Sequence, residues 1–202
     1  RALRSSTKSP TSEGASGSFG GNKKGGGTVS LTWYVPRELR EVPDLLAREG
    51  VVPHGGGTLL LRGGVGRIRG LVDLSRLGLD GVRVEQGIVT LGAMVTFAGC
   101  VARMGRNDPD HLLVKALSRA ASTPLRHRIT LGGSVAASPV WSDLLGPLVA
   151  LDAEVALLGP EGRTSAPVAS FVREGAAWRG HLVTDLRFRE EGLRTFYHRE
   201  AC

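Results

Sequence analysis

Two cysteines in 202 residues, Cys100 and Cys202, match no spacing that holds zinc or an iron–sulfur cluster. A disulfide between them is open to the sequence, but nothing requires it. So thin a use of cysteine points to a reducing compartment, read here as the cytoplasm. No apolar run approaches the ~18 residues that a membrane helix needs. The polar first residues contain no apolar export segment. The chain has neither G-x-G-x-x-G nor G-x-x-x-x-G-K-[ST], which removes support for a nicotinamide fingerprint or a nucleoside-triphosphatase loop. Its five histidines, at 54, 111, 127, 181 and 198, fall in no nucleophile or metal motif, so no catalytic triad can be assembled.

The charge needs locating before it is interpreted. The net charge is +7, and residues 1–28 hold Arg1, Arg4, Lys8, Lys23 and Lys24 against Glu13 alone. That leaves about +3 on the other 174 residues, mixed with acids and showing no basic face interleaved with aromatics, so a nucleic-acid partner is not expected. The segment 1–28 is rich in Ser, Gly, Lys and Pro and cannot bury enough apolar surface to offset its ordering entropy, which predicts a flexible arm or linker. The chain begins without Met, and a piece of a longer polypeptide is expected.

The hydrophobic content of the whole chain, 41%, suffices for a core, and the fold is expected to start at Val29. The pattern predicts a strand over 29–36, a helix over 37–49 capped by Gly50, and a strand opening at Val51. The apolar run is read as resuming at 58–62 after a glycine loop. Short strands are expected at 70–74, 82–85 and 89–93, and helices at 96–103 and 111–121, the second with Leu112, Leu113, Leu117 and Ala120 on one face. A short helix over 144–151, a hairpin turning at 159–162, a helical turn at 168–172 and strands at 181–189 and 194–199 complete the outline.

Two glycine-rich stretches stand out. His54-Gly55-Gly56-Gly57-Thr58 follows an apolar pair, and Thr130-Leu131-Gly132-Gly133-Ser134 runs on through Ala136 and Ala137 to Asp143. Backbone this bare approaches a ligand closely and turns its N–H groups on an anion, so the two are read as holding one phosphate-bearing cofactor. Arg126 and Arg128 are either phosphate partners or solvated loop residues. His54 and His127 are read as supporting the loops, and Trp141 as a packing residue. Asp143 is a helix N-cap, a cofactor contact, or both.

The successive stretches GGGTLLLR, LVDLSRL, VTLGAMVTFAGC and STPLRHRITLGGSVAASPVWSDLLGPLVALDAEV resemble the FAD-binding subunit or domain of the molybdenum hydroxylases over about residues 30–200. That group includes the medium subunit of carbon monoxide dehydrogenase and the flavin domain of xanthine dehydrogenase. The resemblance implies an α+β, two-lobed FAD-binding fold of the vanillyl-alcohol-oxidase (PCMH) type. Its lobes would span about 29–90 and 91–190, with a truncated C-terminal subdomain starting at about 191–202. It implies non-covalent FAD held by Gly55, Gly56, Gly57, Thr58, Thr130, Gly132, Gly133, Ser134, Ala136, Ala137 and Asp143. It also implies electron transfer from 2Fe–2S clusters to NAD⁺, oxygen or a quinone, beside an iron–sulfur subunit and a molybdopterin subunit. Either a further chain would supply the C-terminal lobe or the sequence is a fragment. The chain departs from the family pattern at Leu59, Ser134 and Ala137, each a lost polar contact, and a flavin-free scaffold is the alternative. A stand-alone FAD reductase of similar fold would need a substrate-side acid/base set that the sequence does not show.

Overall fold

The computed structural model describes residues 31–63, 66–190 and 194–199. The arm assigned to 1–28 lies outside the described residues, as does Cys202.

Strands β1 (Thr32–Tyr34), β2 (Val51–His54) and β3 (Gly70–Asp73) form a parallel sheet in the order β1-β3-β2. Parallel neighbours require crossovers; helix α1 (Val42–Leu46) lies in one connection and α2 (Thr58–Gly63) in the other. Because β2 is an edge strand, Pro53 is tolerated within it. The helix expected over 37–49 is shorter. A 3-10 turn at Leu39–Glu41 leads into α1, and Ala47 is already the C-cap. Pro43 explains the late start, since a residue without an N–H fits only a first turn. Gly50 is not the cap; it sits three residues further on, where its carbonyl accepts from Arg69 and Gly70.

The stretch 58–62 is helical rather than extended. Gly57, at φ +73°, turns the chain out of the strand path. The leucines that follow are good helix formers with no β-branched residue among them.

A second, antiparallel sheet contains β4 (Val82–Glu85), β5 (Ile88–Gly92), β6 (Glu154–Gly159), β7 (Gly162–Pro167) and β8 (Leu182–Arg189), ordered β4-β5-β8-β6-β7. Gln86 and Gly87 both take positive φ, as the two-residue hairpin turn between β4 and β5 demands. Packed with this sheet are α3 (Phe97–Met104), α4 (Leu112–Ser118), α5 (Thr123–Arg126), α6 (Leu131–Ala137), α7 (Leu145–Ala150) and α8 (Val168–Arg173). Leu91, Leu113, Leu117, Leu131, Leu148 and Leu186 are fully buried in their shared core. Each is worth about 1.5–3 kcal/mol of transfer free energy. A second cluster joins Val42, Leu45, Val72 and Leu74 to Leu158 and Leu182, and so ties the parallel sheet to the ends of β6 and β8. Residues 194–199 form no strand. Tyr197 packs on the main core and Arg199 donates to the Arg119 carbonyl at 2.9 Å.

Candidate functional site

The site lies at the carboxyl end of β2, where parallel sheets present their ligand-binding loops. Two threonines organise the other side. Thr96 and Thr130 face each other across a single antiparallel bridge. Each caps its own helix, Thr96 Oγ1 accepting from Gly99 N–H at 3.0 Å and Thr130 Oγ1 from Gly133 N–H at 3.2 Å. Helices α3 and α6 therefore start side by side. The stretch expected as a second glycine loop is thus the first turns of α6.

The α6 glycines are closely packed. A Cβ on Gly132 would fall 2.5 Å from Ala93 Cβ and 3.0 Å from the Ala93 carbonyl oxygen. Backbone bonds fix that contact. Gly132 N–H donates to Ala93 C=O at 2.9 Å, and Ala93 N–H donates to Thr184 C=O at 2.8 Å. The second bond continues the β5–β8 ladder one pair beyond Gly92–Asp185; on the other side of β8 the β6 register shifts past Thr184, from Ala156–Asp185 to Leu157–Val183. Ser134 N–H donates to Thr130 C=O at 3.0 Å. The N–H groups of 132–134 are therefore spent inside the fold and are not the converging anion donors expected of them.

The first loop differs. Among the described residues, none of the Gly55, Gly56 and Gly57 N–H groups donates to a backbone carbonyl. Gly56 abuts the turn between α5 and α6 so closely that a Cβ would lie 1.6 Å from the Arg128 carbonyl oxygen. Arg128 Nη2 reaches back to the Gly56 carbonyl at 3.2 Å.

Between these segments lies a cleft of about 260 Å³. Gly55, Gly56, Gly57, Thr58, Thr130, Gly132, Gly133, Ser134, Ala136 and Ala137 all line it. Asp143 does not. Its carboxylate sits 3.5 Å from Arg199, and α7 begins after Leu144 with no side-chain cap, so Asp143 is not the N-cap expected. Trp141 is 63% exposed, against the expectation of a packing residue. Arg126 closes its own loop through the carbonyls of Ala120 and Ala121 and the Thr123 hydroxyl. His54 lies against Trp33, ring centroids 5.0 Å apart, beneath Gly57, and supports its loop by packing. His127 is exposed at the end of α5. Sequence reasoning missed Ala93, Met94, Leu74, His181, Leu182 and Val183, which complete the walls. They come from strand ends scattered along the chain and carry no common spacing. Leu59 and Ala137, two of the departures, present apolar side chains to the cleft.

The family model for the FAD binding domain in molybdopterin dehydrogenase matches residues 28–188. The chain belongs to that family. Among relatives of this FAD-binding domain, the nicotinate dehydrogenase FAD-subunit of Eubacterium barkeri is 29% identical over 161 residues, covering 76% of this chain and 54% of that one. The carbon monoxide dehydrogenase medium chain of Hydrogenophaga pseudoflava is 28% identical over 145 residues, covering 69% and 50%. The chain therefore spans about half the length of the curated relatives it matches. Reconstituted CO dehydrogenase from Oligotropha carboxidovorans superposes with a TM-score of 0.72 at 25% identity, over 80% of this chain and 59% of that one. The fold is the two-lobed α+β flavin fold of the vanillyl-alcohol-oxidase (PCMH) type.

FAD is the cofactor of this family, and the residues present fit it. The bare 55–57 loop suits a pyrophosphate, because each N–H there is without a backbone acceptor among the described residues. The apolar walls from Leu74, Met94, Leu182 and Val183 suit flat ring systems. No helix among the described residues is long and apolar enough to cross a membrane.

Proposed function

We propose that this chain is the flavin-binding electron-transfer component of a molybdenum-hydroxylase-type complex, placed between an iron–sulfur subunit and the terminal acceptor. The observation that carries the proposal is the single cleft shared by both glycine segments. In this proposal Gly55, Gly56 and Gly57 offer N–H donors to the pyrophosphate, and Thr58 and Ser134 offer hydroxyls. Thr130 holds α6 in place, while Gly132, Gly133, Ala136 and Ala137 keep the opposing surface low. Asp143 contacts a cofactor hydroxyl once released from Arg199. When bound, FAD supplies the exchange of electrons, and the protein orients and shields it.

Electrons would come from 2Fe–2S clusters, the substrate being oxidised on a molybdopterin subunit, and would leave to NAD⁺, oxygen or a quinone. The lobes meet at about residue 90 in this proposal. The matched segment is only about half of each curated relative, so the rest of the cofactor's cover is supplied from beyond the described residues. A flavin-free scaffold is the second reading, favoured by Leu59 and Ala137 in the cleft wall.

The test is the visible absorption spectrum of the purified chain and of its native complex, followed by acid release of the chromophore. Flavin bands near one FAD per chain support the proposal, and bands in the complex alone place part of the site on a partner. Colourless samples in both cases leave the scaffold.

A further inference from the structure

Gly55, Gly56 and Gly57 stand together in the cleft wall with no side chains of their own to hold them. Glycine gives up more conformational freedom on ordering than any other residue. A peptide group between two glycines also turns over at little steric cost, exchanging the sides to which its C=O and N–H point. Whatever fixes the peptides of this loop therefore decides which of their groups a ligand meets.

Arg128 restrains the loop twice. Its backbone carbonyl oxygen occupies the space beside Gly56 where a Cβ would stand, at 1.6 Å from that position. Its side chain turns back, and Nη2 donates to the Gly56 carbonyl at 3.2 Å. That bond ties the loop after β2 to the turn before α6 across 72 residues of sequence. The guanidinium is exposed, and Arg128 is not among the residues lining the cleft. It reaches the cleft through the loop alone.

The Gly56 C=O and the Gly57 N–H belong to one peptide group, and no described peptide is cis. In a trans peptide the two point in opposite directions. With the carbonyl drawn to the guanidinium, the Gly57 N–H faces away from Arg128, and it has no backbone acceptor among the described residues. Turning this peptide over would change the φ of Gly57, now +73°, and with it the turn that sends the chain into α2. A charged donor on the carbonyl also polarises the peptide and strengthens its N–H as a donor in turn.

We propose that Arg128 is a positioning residue for the pyrophosphate of the cofactor: by holding the Gly56 carbonyl, it presents the Gly57 N–H to a phosphate oxygen. The inference rests on FAD occupying the cleft as proposed above.

The experiment is titration of FAD into the flavin-free full chain, wild type against Arg128→Met, at about 0.05 and about 0.5 M salt. Methionine keeps an unbranched stem and removes both charge and donors. The variant is expected to bind FAD about tenfold more weakly, the size of one hydrogen bond. The ratio to wild type should stay within about twofold at the two salt concentrations, because a fixed loop is not screened as a distant charge is. The amide proton of Gly57, followed by magnetic resonance in isotope-labelled protein, should move downfield when FAD is added to wild type and move less in Arg128→Met. A purely structural role for Arg128 would leave that response to FAD intact.

Affinity in Arg128→Met within about threefold of wild type overturns the inference. So does a loss that disappears at the higher salt, which would make Arg128 a long-range charge, and so does a Gly57 amide that FAD leaves unmoved. In each of these cases wild type still binds FAD and the reading of the cleft stands. A wild-type chain that binds no FAD overturns that reading, and this inference with it. If Arg128→Met does not fold, Arg128→Gln, whose amide stops short of the Gly56 carbonyl, carries the same comparison.

Discussion

Replacing Gly56 with alanine puts the proposed phosphate loop to its sharpest test. The new Cβ would stand 1.6 Å from the Arg128 carbonyl oxygen and 2.7 Å from its carbonyl carbon. An ordinary carbon–oxygen contact is about 3.3 Å or longer, so the segments must part by roughly 1.7 Å. Neither atom is the tip of a flexible side chain; both are backbone. The displacement lengthens the bond from Arg128 to the Gly56 carbonyl, 3.2 Å at rest, beyond hydrogen-bonding range.

Overpacking of this kind costs about 1–3 kcal/mol of stability. For a chain of this size that lowers Tm by a few degrees per kcal/mol. The effect on cofactor should be larger than the effect on folding. A shift of ~1.7 Å takes donors at ~2.9 Å from a phosphate oxygen out of reach, and each bond to a charged group is worth about 1.5–3 kcal/mol. Losing one predicts FAD binding weakened by about tenfold to 150-fold, and losing two by more than about a hundredfold. Calorimetric melting of the flavin-free chain and FAD titration, run on the same preparation, measure the two effects separately. A Gly56→Ala protein that binds FAD within about threefold of wild type refutes the reasoning.

Further outcomes follow from the same geometry. Gly132→Ala should lose about 1–2 kcal/mol by chemical denaturation, because crowding against Ala93 outweighs the helix-propensity gain; pairing it with Ala93→Gly should recover part of the loss in a double-mutant cycle. Gly146, inside α7 with open space around its missing Cβ apart from its chain neighbours, should accept alanine with little change in stability by chemical denaturation, because Pro147 crowds a helical Cβ before it and offsets the propensity gain. His111 caps α4, its Nδ1 accepting from Leu113 N–H at 3.1 Å. Burial holds the imidazole below its usual value of 6.5, with Glu190 and Asp108 pulling the other way. The unfolded chain therefore takes up a proton first as pH falls below about 6.5. This contribution is fully present above that pH and is lost on acidification towards the lower folded value. Denaturation curves from pH 8 to 5 should show the decline, and His111→Asn, which caps without titrating, should flatten it. Cys100, its thiol pushed up to about 12 by burial, should react with a thiol reagent only at the rate of unfolding.

What the chain disclosed in advance follows a physical divide. Local rules located the hairpin turning at 159–162, the α4 face and the strands of the second sheet, because turn chemistry and periodicity act over a few residues. Both glycine stretches were legible as a site because small residues in clusters are rare without cause. Their division of labour was not legible. That Gly132 serves helix packing depends on Ala93, far off in sequence, while the 55–57 N–H groups have no backbone acceptor among the described residues. The helix at 58–63 was masked by a leucine run that fits either state, decided by the φ of Gly57. His181 gave no signal as a residue of the cleft wall, since Gly159 and Trp178, which seat its ring, meet it only in space.

The tight seating of Gly56 on Arg128 and of Gly132 on Ala93 bears on how this lineage can drift. Those glycines are demanded by the polypeptide itself, so selection for folding alone preserves them. A descendant that abandoned flavin chemistry would keep them for as long as it kept its shape, and its glycine pattern would still advertise a cofactor. The honest markers of retained chemistry are positions where the scaffold tolerates substitution and only a ligand objects. Thr58, which lines the cleft, is the place to look when sorting working flavoproteins from inherited architecture.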